Sequence, residues 1–176
     1  MLNVIKPAPV LTRNPLQGDF IEAMSRAASS VSVVTTDGPA GRTGVTVSAL
    51  SSVSADGPSP QLLICVHQAG AACPVIMDNG VFCVNLLKSD QTAISDAFAG
   101  RTDARGEERF AGIDWVNMAT GAPRPADVLA AFDCHLSDAK LVGTHYVMFG
   151  AVKQVFVAPA GTPLIYANRG YLRHAA

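Results

Sequence analysis

The chain has 176 residues, 49% of them hydrophobic and 15% charged, with 13 basic residues against 14 acidic ones and a formal net charge of −1. That balance, without any run of Lys or Arg, excludes the phosphate-tracking surface of a nucleic-acid partner. The length suits one domain with a substantial core, and the high apolar fraction leaves material for an oligomeric interface.

Residues 1–17 read as an extended N-terminal arm, because Pro7, Pro9 and Pro15 remove backbone donors and fix the chain direction. Residues 18–176 read as a single domain. No apolar run is long enough for a signal peptide or a membrane span. Cys65, Cys73, Cys83 and Cys134 lack C-x-x-C spacing and sit in apolar surroundings, which is the pattern of reduced, buried thiols. Both features point to a cytoplasmic protein with no membrane association.

From Asp19, apolar residues recur at helical spacing (Phe20, Ile21, Met24, Ala27, Ala28), and Asp19 with Glu22 resembles a capping box, so the first helix is predicted there. Val31 to Thr36 is β-branched and stops at Asp37-Gly38-Pro39, which predicts a strand and a turn. Three further strands are predicted over Val45 to Ser54, Gln61 to Val66 and Val81 to Leu87, each preceded by a Gly, Pro or Asn breaker. Between the last two, Cys73 to Asp78 predicts a short helix with Pro74 in its first turn. Ser89 is placed to cap a helix over Asp90 to Phe98 that Gly100 ends. Arg101 to Arg109 reads as a charged loop or short helix. Strands follow over Leu129 to Leu141, Tyr146 to Val157 and Leu164 to Tyr166. Closely spaced strands without βα alternation predict a mainly β fold, an antiparallel barrel with peripheral helices.

The sequence has no G-x-G-x-x-G, no P-loop and no G-x-S-x-G. His67, His135, His145 and His174 lack zinc-ligand spacing, so no metal site is predicted. Two features remain. Thr46 and Ser48 share one side of a strand whose other side carries Val47 and Ala49, which fits either a ligand-holding face or a solvated one. His145, after Gly143-Thr144, stands where a turn presents a side chain to a cleft, or serves only the turn itself.

The ordered segments FIEAMSRAASSVSVVTT (20–36), GVTVSALSSVS (44–54), LLICVH (62–67), VFCVNLL (81–87), FAG (98–100), GTH (143–145) and PLIYANRGY (163–171) resemble the flavin reductase family that supplies two-component aromatic monooxygenases. The resemblance covers Phe20 to Tyr171. It implies an FMN-binding split β-barrel of antiparallel Greek-key type, working as a homodimer with flavin near the subunit boundary. It further implies reduction of free FAD or FMN by NADH or NADPH, and delivery to a flavin-dependent monooxygenase component that hydroxylates an aromatic substrate. By position, Thr46, Val47, Ser48 and Ala49 correspond to residues along the flavin ring and ribityl chain, largely through backbone groups. Cys65, Val66, His67 and Gln68 match the segment running toward the flavin phosphate, with Asn85 nearby. His145 matches the histidine beside the nicotinamide, and Arg169 and Tyr171 match C-terminal contacts to both ligands.

Three departures stand out. Gly70-Ala71-Ala72 replaces a usual hydroxyl pair, Thr144 replaces a carboxylate before His145, and Ala49 stands where a second serine is common. Each lost charge-assisted contact weakens binding by about 1.5–3 kcal/mol, so the flavin is expected to be held loosely. The other readings are a non-catalytic flavin- or haem-binding split barrel and a flavin-dependent ferric reductase.

Overall fold

The computed structural model describes residues 14–172. Most of the expected arm therefore lies outside the described residues. Its last three residues, however, are helical: α1 runs Pro15–Ser25. The start at Asp19 is corrected by local chemistry, since Asn14 accepts the Leu16 N–H at 3.1 Å and Pro15 opens the first turn, where its missing N–H does no harm. Glu22 turns instead to Arg26 and Arg169.

The strands are β1 (Ser29–Ser30), β2 (Ser32–Thr36), β3 (Thr43–Val47), β4 (Leu50–Ser54), β5 (Gln61–His67), β6 (Val81–Leu86), β7 (Trp115–Asn117), β8 (Pro123–Pro125), β9 (Ala130–Val142), β10 (His145–Val157), β11 (Ile165–Ala167) and β12 (Gly170–Leu172). Helices α2 (Ala72–Asn79) and α3 (Thr92–Phe98) and a 3-10 turn (Gly106–Phe110) connect them. Seven strands form one antiparallel sheet in the order β3-β2-β6-β9-β10-β5-β4. Strands β5 and β6 are consecutive in the chain but have β10 and β9 between them, a Greek-key return.

The expected single strand over Val45 to Ser54 is two strands, and the break governs the shape. Strands β3 and β4 lie at opposite edges of the sheet, yet only Ser48 and Ala49 separate them. Seven flat strands would hold their edges about 29 Å apart, at about 4.8 Å per step. The three Cα steps from Val47 to Leu50 span at most about 11 Å. The sheet must curl until its edges meet, which gives a split barrel.

Alternation then fills both faces. Val34, Ile64, Val84, Phe82 and Met148 pack inside the curl with Ile76 of α2, while Val33, Cys83, Leu87, Phe98 and Leu164 pack on the outer face beneath α3. The long hairpin β9–β10 bends across the barrel through register shifts at Phe149/Gly150 and Val152/Gln154. Cys73, Cys83 and Cys134 are buried and Cys65 is half-buried, all unbridged. Burial, with Asp133 adding to it, pushes the Cys134 thiol up to about 12.

Two boundaries differ in α3. The helix begins at Thr92 rather than Asp90, and Ser89 does not cap it, because its hydroxyl pairs with that of Thr162 at 2.7 Å. The β7–β8 ribbon escaped the sequence reading because Pro123 and Pro125 argue against a strand; a two-stranded edge tolerates their missing donors.

Gly150 lies where the interior leaves no room for a side chain. A Cβ there meets Phe82 Cζ at 2.6 Å and the Cys134 side chain at 3.0 Å. Gly150→Ala is expected to lower the unfolding free energy by about 1–3 kcal/mol, the range for overpacking a dense core, as measured by urea denaturation.

Candidate functional site

Where the curled edges meet, a cleft of about 630 Å³ opens. Thr46, Val47, Ser48 and Ala49 form one wall, Cys65, Val66 and His67 of β5 another, and His145 of β10 stands at the side. Eight of the residues singled out in the sequence therefore share one cavity, although they come from three separate segments. Phe20 and Met24 of α1 complete it.

The wall is chemically uneven. Val47 is buried in the core. Ser48 is exposed and engages none of its hydrogen-bonding groups with described residues, and the Ala49 carbonyl accepts from the Cys65 N–H at 3.4 Å. The strand break thus leaves the N–H groups of residues 48 and 49, which line the cleft, without a partner among the described residues. The Thr46 hydroxyl, by contrast, donates to the Ser95 carbonyl at 2.7 Å and is a tie to α3.

His67 and His145 are register partners in the β5–β10 pair, with rings edge to face at 4.9 Å. The Ala69 N–H donates to His67 Nδ1 at 3.1 Å, which leaves the proton of the neutral ring on Nε2. His145 follows a two-residue hairpin in which Gly143 takes φ +60, and its Nδ1 lies 3.1 Å from the Thr144 hydroxyl. Threonine here takes the place of the absent carboxylate as the local partner.

Three expected residues stand elsewhere. Asn85 is fully buried and donates to the Val33 carbonyl and the Thr35 hydroxyl, both at 3.0 Å. It holds β6 to β2 beneath the surface, because a β-strand sends alternate side chains to opposite faces and this one meets the core. Gln68 ties the Thr144 carbonyl through its N–H at 2.9 Å and does not line the cleft. Arg169, with φ +61, pairs with Glu22 at 2.7 Å and holds α1 against the C-terminal hairpin.

Tyr171 belongs to a second cavity of about 180 Å³ on the other side of β3, lined by Thr46, Val47, Ser48, Ser95, Arg101 and Tyr166, with Val31 and Ala99. Its hydroxyl lies 2.7 Å from Asp96 Oδ1 and 2.9 Å from Ser95 Oγ. Burial first, then the Asp96 carboxylate, raises this phenol above its ordinary value. Arg101 and Tyr166 were not singled out in the sequence. Their only signals were positional: Arg101 directly follows the matched segment FAG, and Tyr166 lies within PLIYANRGY.

The fold and the paired cavities define a split barrel with a cleft at its seam. The chain belongs to the flavin reductase family: the model described as flavin reductase like domain matches residues 24–174. A relative called FMN reductase (NADH) RutF 2, from Methylorubrum extorquens, is 45% identical over 152 residues, covering 86% of each chain. Among solved structures, the nitrilotriacetate monooxygenase component B homolog from Mycobacterium thermoresistibile aligns with TM-score 0.80 and 28% identity, covering 90% of this chain and 86% of that one. BorF, the flavin reductase component of a bacterial two-component tryptophan halogenase, aligns with TM-score 0.80 and 28% identity, covering 89% and 96%.

The raised Tyr171 phenol has a defined consequence. A raised acid stabilises the fold fully below its unfolded pKa of about 10 and loses that contribution as pH climbs through the folded value. Tyr171→Phe is expected to cost about 1 kcal/mol at neutral pH and to flatten part of the stability loss above pH about 10, as read by denaturation across pH.

Proposed function

We propose that this chain takes a hydride from NADH to reduce free flavin, FMN or FAD, and that the reduced flavin serves a partner monooxygenase acting on an aromatic substrate. The carrying observation is the cleft at the barrel seam, which Ser48–Ala49 with their unpaired N–H groups line together with a pair of histidines, in a chain 45% identical to an FMN reductase (NADH). Likeness to reductase components of two-component systems supports a partner enzyme.

The residues fit a flavin. Its ring is flat and apolar with one hydrogen-bonding edge, and the cleft offers Val47, Ala49 and Val66 beside the free donors of residues 48 and 49. The flavin and nicotinamide supply the redox chemistry, C4 to N5, themselves. The protein's part is orientation and charge. Backbone N–H groups at 48 and 49 are fixed by the strands on either side, so they can meet negative charge growing at the flavin's polar edge without reorganising. His67, locked as an Nε2 donor, adds a second hydrogen bond. His145 sits on the rim, where it positions the nicotinamide against the ring.

The same reading includes a homodimer of residues 18–176. Helix α1 leaves Leu16, Phe20, Ile21 and Met24 72, 64, 45 and 55% exposed, an apolar face that a second copy would cover. Since Phe20 and Met24 also line the cleft, that copy would close it from above.

NADH oxidation by the purified protein is expected to depend on added FMN or FAD, and dialysis to remove the flavin, given the side-chain-poor Gly70-Ala71-Ala72 segment. A permanently coloured protein without NADH oxidation would contradict this. His145→Ala is expected to raise the Michaelis constant for NADH and slow turnover, together about ten- to a hundredfold, with flavin affinity unchanged. Wild-type kinetics with a lowered melting temperature would show that His145 serves only the hairpin.

A further inference from the structure

A phosphate group is common to FMN, FAD and NADH, yet the main cleft offers it little. Gly70-Ala71-Ala72 has no polar side chain, and helix α2, which begins there, has no side-chain cap. Among the described residues that line the two cavities beside β3, Arg101 is the single permanently charged cation.

Arg101 is held in a defined pose by three elements. Gly100, with φ +72, ends α3 and turns the chain, and the Arg101 N–H bonds the Asp96 carbonyl at 2.9 Å. Its Nη1 donates to Asp96 Oδ1 at 3.1 Å and to the Tyr171 hydroxyl at 3.3 Å. Its Cζ lies 5.7 and 5.8 Å from the ring centroids of Tyr166 and Tyr171, which meet edge to face. Half of the side chain stays exposed, and the residue lines the smaller cavity. A guanidinium has five donors in a rigid fork, so donors remain for a ligand after Asp96 and the tyrosines are served. Asp96 offsets part of the positive charge, but it and Tyr171 both take Nη1, so the other nitrogens of the fork stay available to an anion.

Resting on the flavin-reduction reading above, we propose that Arg101 is the anion-recognising residue of this cleft and binds a phosphate of the flavin or of the nicotinamide dinucleotide. The cavity it lines shares Thr46, Val47 and Ser48 with the flavin cleft, so a ligand lying across β3 reaches both. Tyr166, Tyr171 and Asp96 act as positioning residues that preset the fork before binding.

The test compares ligands that differ only in the phosphate. Fluorescence titration of the wild type is expected to show FMN bound about ten- to a hundredfold more tightly than riboflavin, with the ratio shrinking as salt rises. Arg101→Ala should abolish that ratio while leaving riboflavin affinity unchanged, and Arg101→Lys should keep part of it. If the phosphate belongs to the nicotinamide, the flavin ratio holds, and the alanine variant instead loses about ten- to a hundredfold with NADH but not with phosphate-free N-benzyl-dihydronicotinamide. Should the alanine variant not fold, Arg101→Gln serves the same comparison. A catalytically active wild type in which neither ratio responds to the folded variants overturns the Arg101 assignment alone. A wild type that neither binds flavin nor oxidises NADH overturns the functional reading and this one with it.

Discussion

Two residues, Ser48 and Ala49, join the opposite edges of a seven-stranded sheet, and most of the molecule follows from that constraint. A link of at most about 11 Å cannot span a flat sheet, so the sheet curls, its interior closes on Val34, Ile64, Phe82 and Met148, and a seam is left where β3 passes to β4. The linking residues have no ladder partner for all of their backbone groups. In most proteins unpaired strand-edge groups are covered or blunted; here they line the cleft. The defect in the sheet is therefore the feature that a ligand can use.

Strand β3 must hold still for those donors to be useful, and the contacts on its far side achieve this. Thr46 bonds the Ser95 carbonyl, and the Ser95 hydroxyl and Asp96 meet Tyr171 of β12. Asp96 in turn fixes Arg101. Through this chain of bonds α3, β3 and the C-terminal hairpin share one polar network around the smaller cavity, so changes at Tyr171 reach the β3 wall of the main cleft without touching it. On the opposite side α1 is attached mainly through Arg169–Glu22 and the Asn168 N–H to the Ser25 carbonyl. Its apolar face, Leu16, Phe20, Ile21 and Met24, stays exposed.

Much of the fold was legible because burial imposes alternation: β2, β5, β6, β9 and β10 are found close to their predicted spans. What failed were local contests. Asn14-Pro15 started α1 earlier than Asp19, and Thr162 took the Ser89 hydroxyl from α3. The break at Ser48–Ala49 has no Gly or Pro to announce it, since it arises from closure of the sheet rather than from local preference. Thr46 to Ala49, Cys65 to His67 and His145, named from three separate segments of the sequence, line one cleft. Asn85, matched by position to the family's flavin segment, is instead buried and satisfies groups of β2, which alternation along β6 alone does not reveal. Arg101 was overlooked because a single arginine in a charged loop carries no pattern; only the fold places it against Tyr166 and Tyr171.

The claim that the seam between β3 and β4 is the ligand site is tested most directly by hydrogen–deuterium exchange with and without saturating FMN. Protection confined to peptides covering residues 45–50 and 65–68, with the Arg101 segment following, is the predicted result. Protection instead at the shallow groove formed by Val53, Pro60, Leu62 and Val155, with residues 45–50 unchanged, would contradict the account.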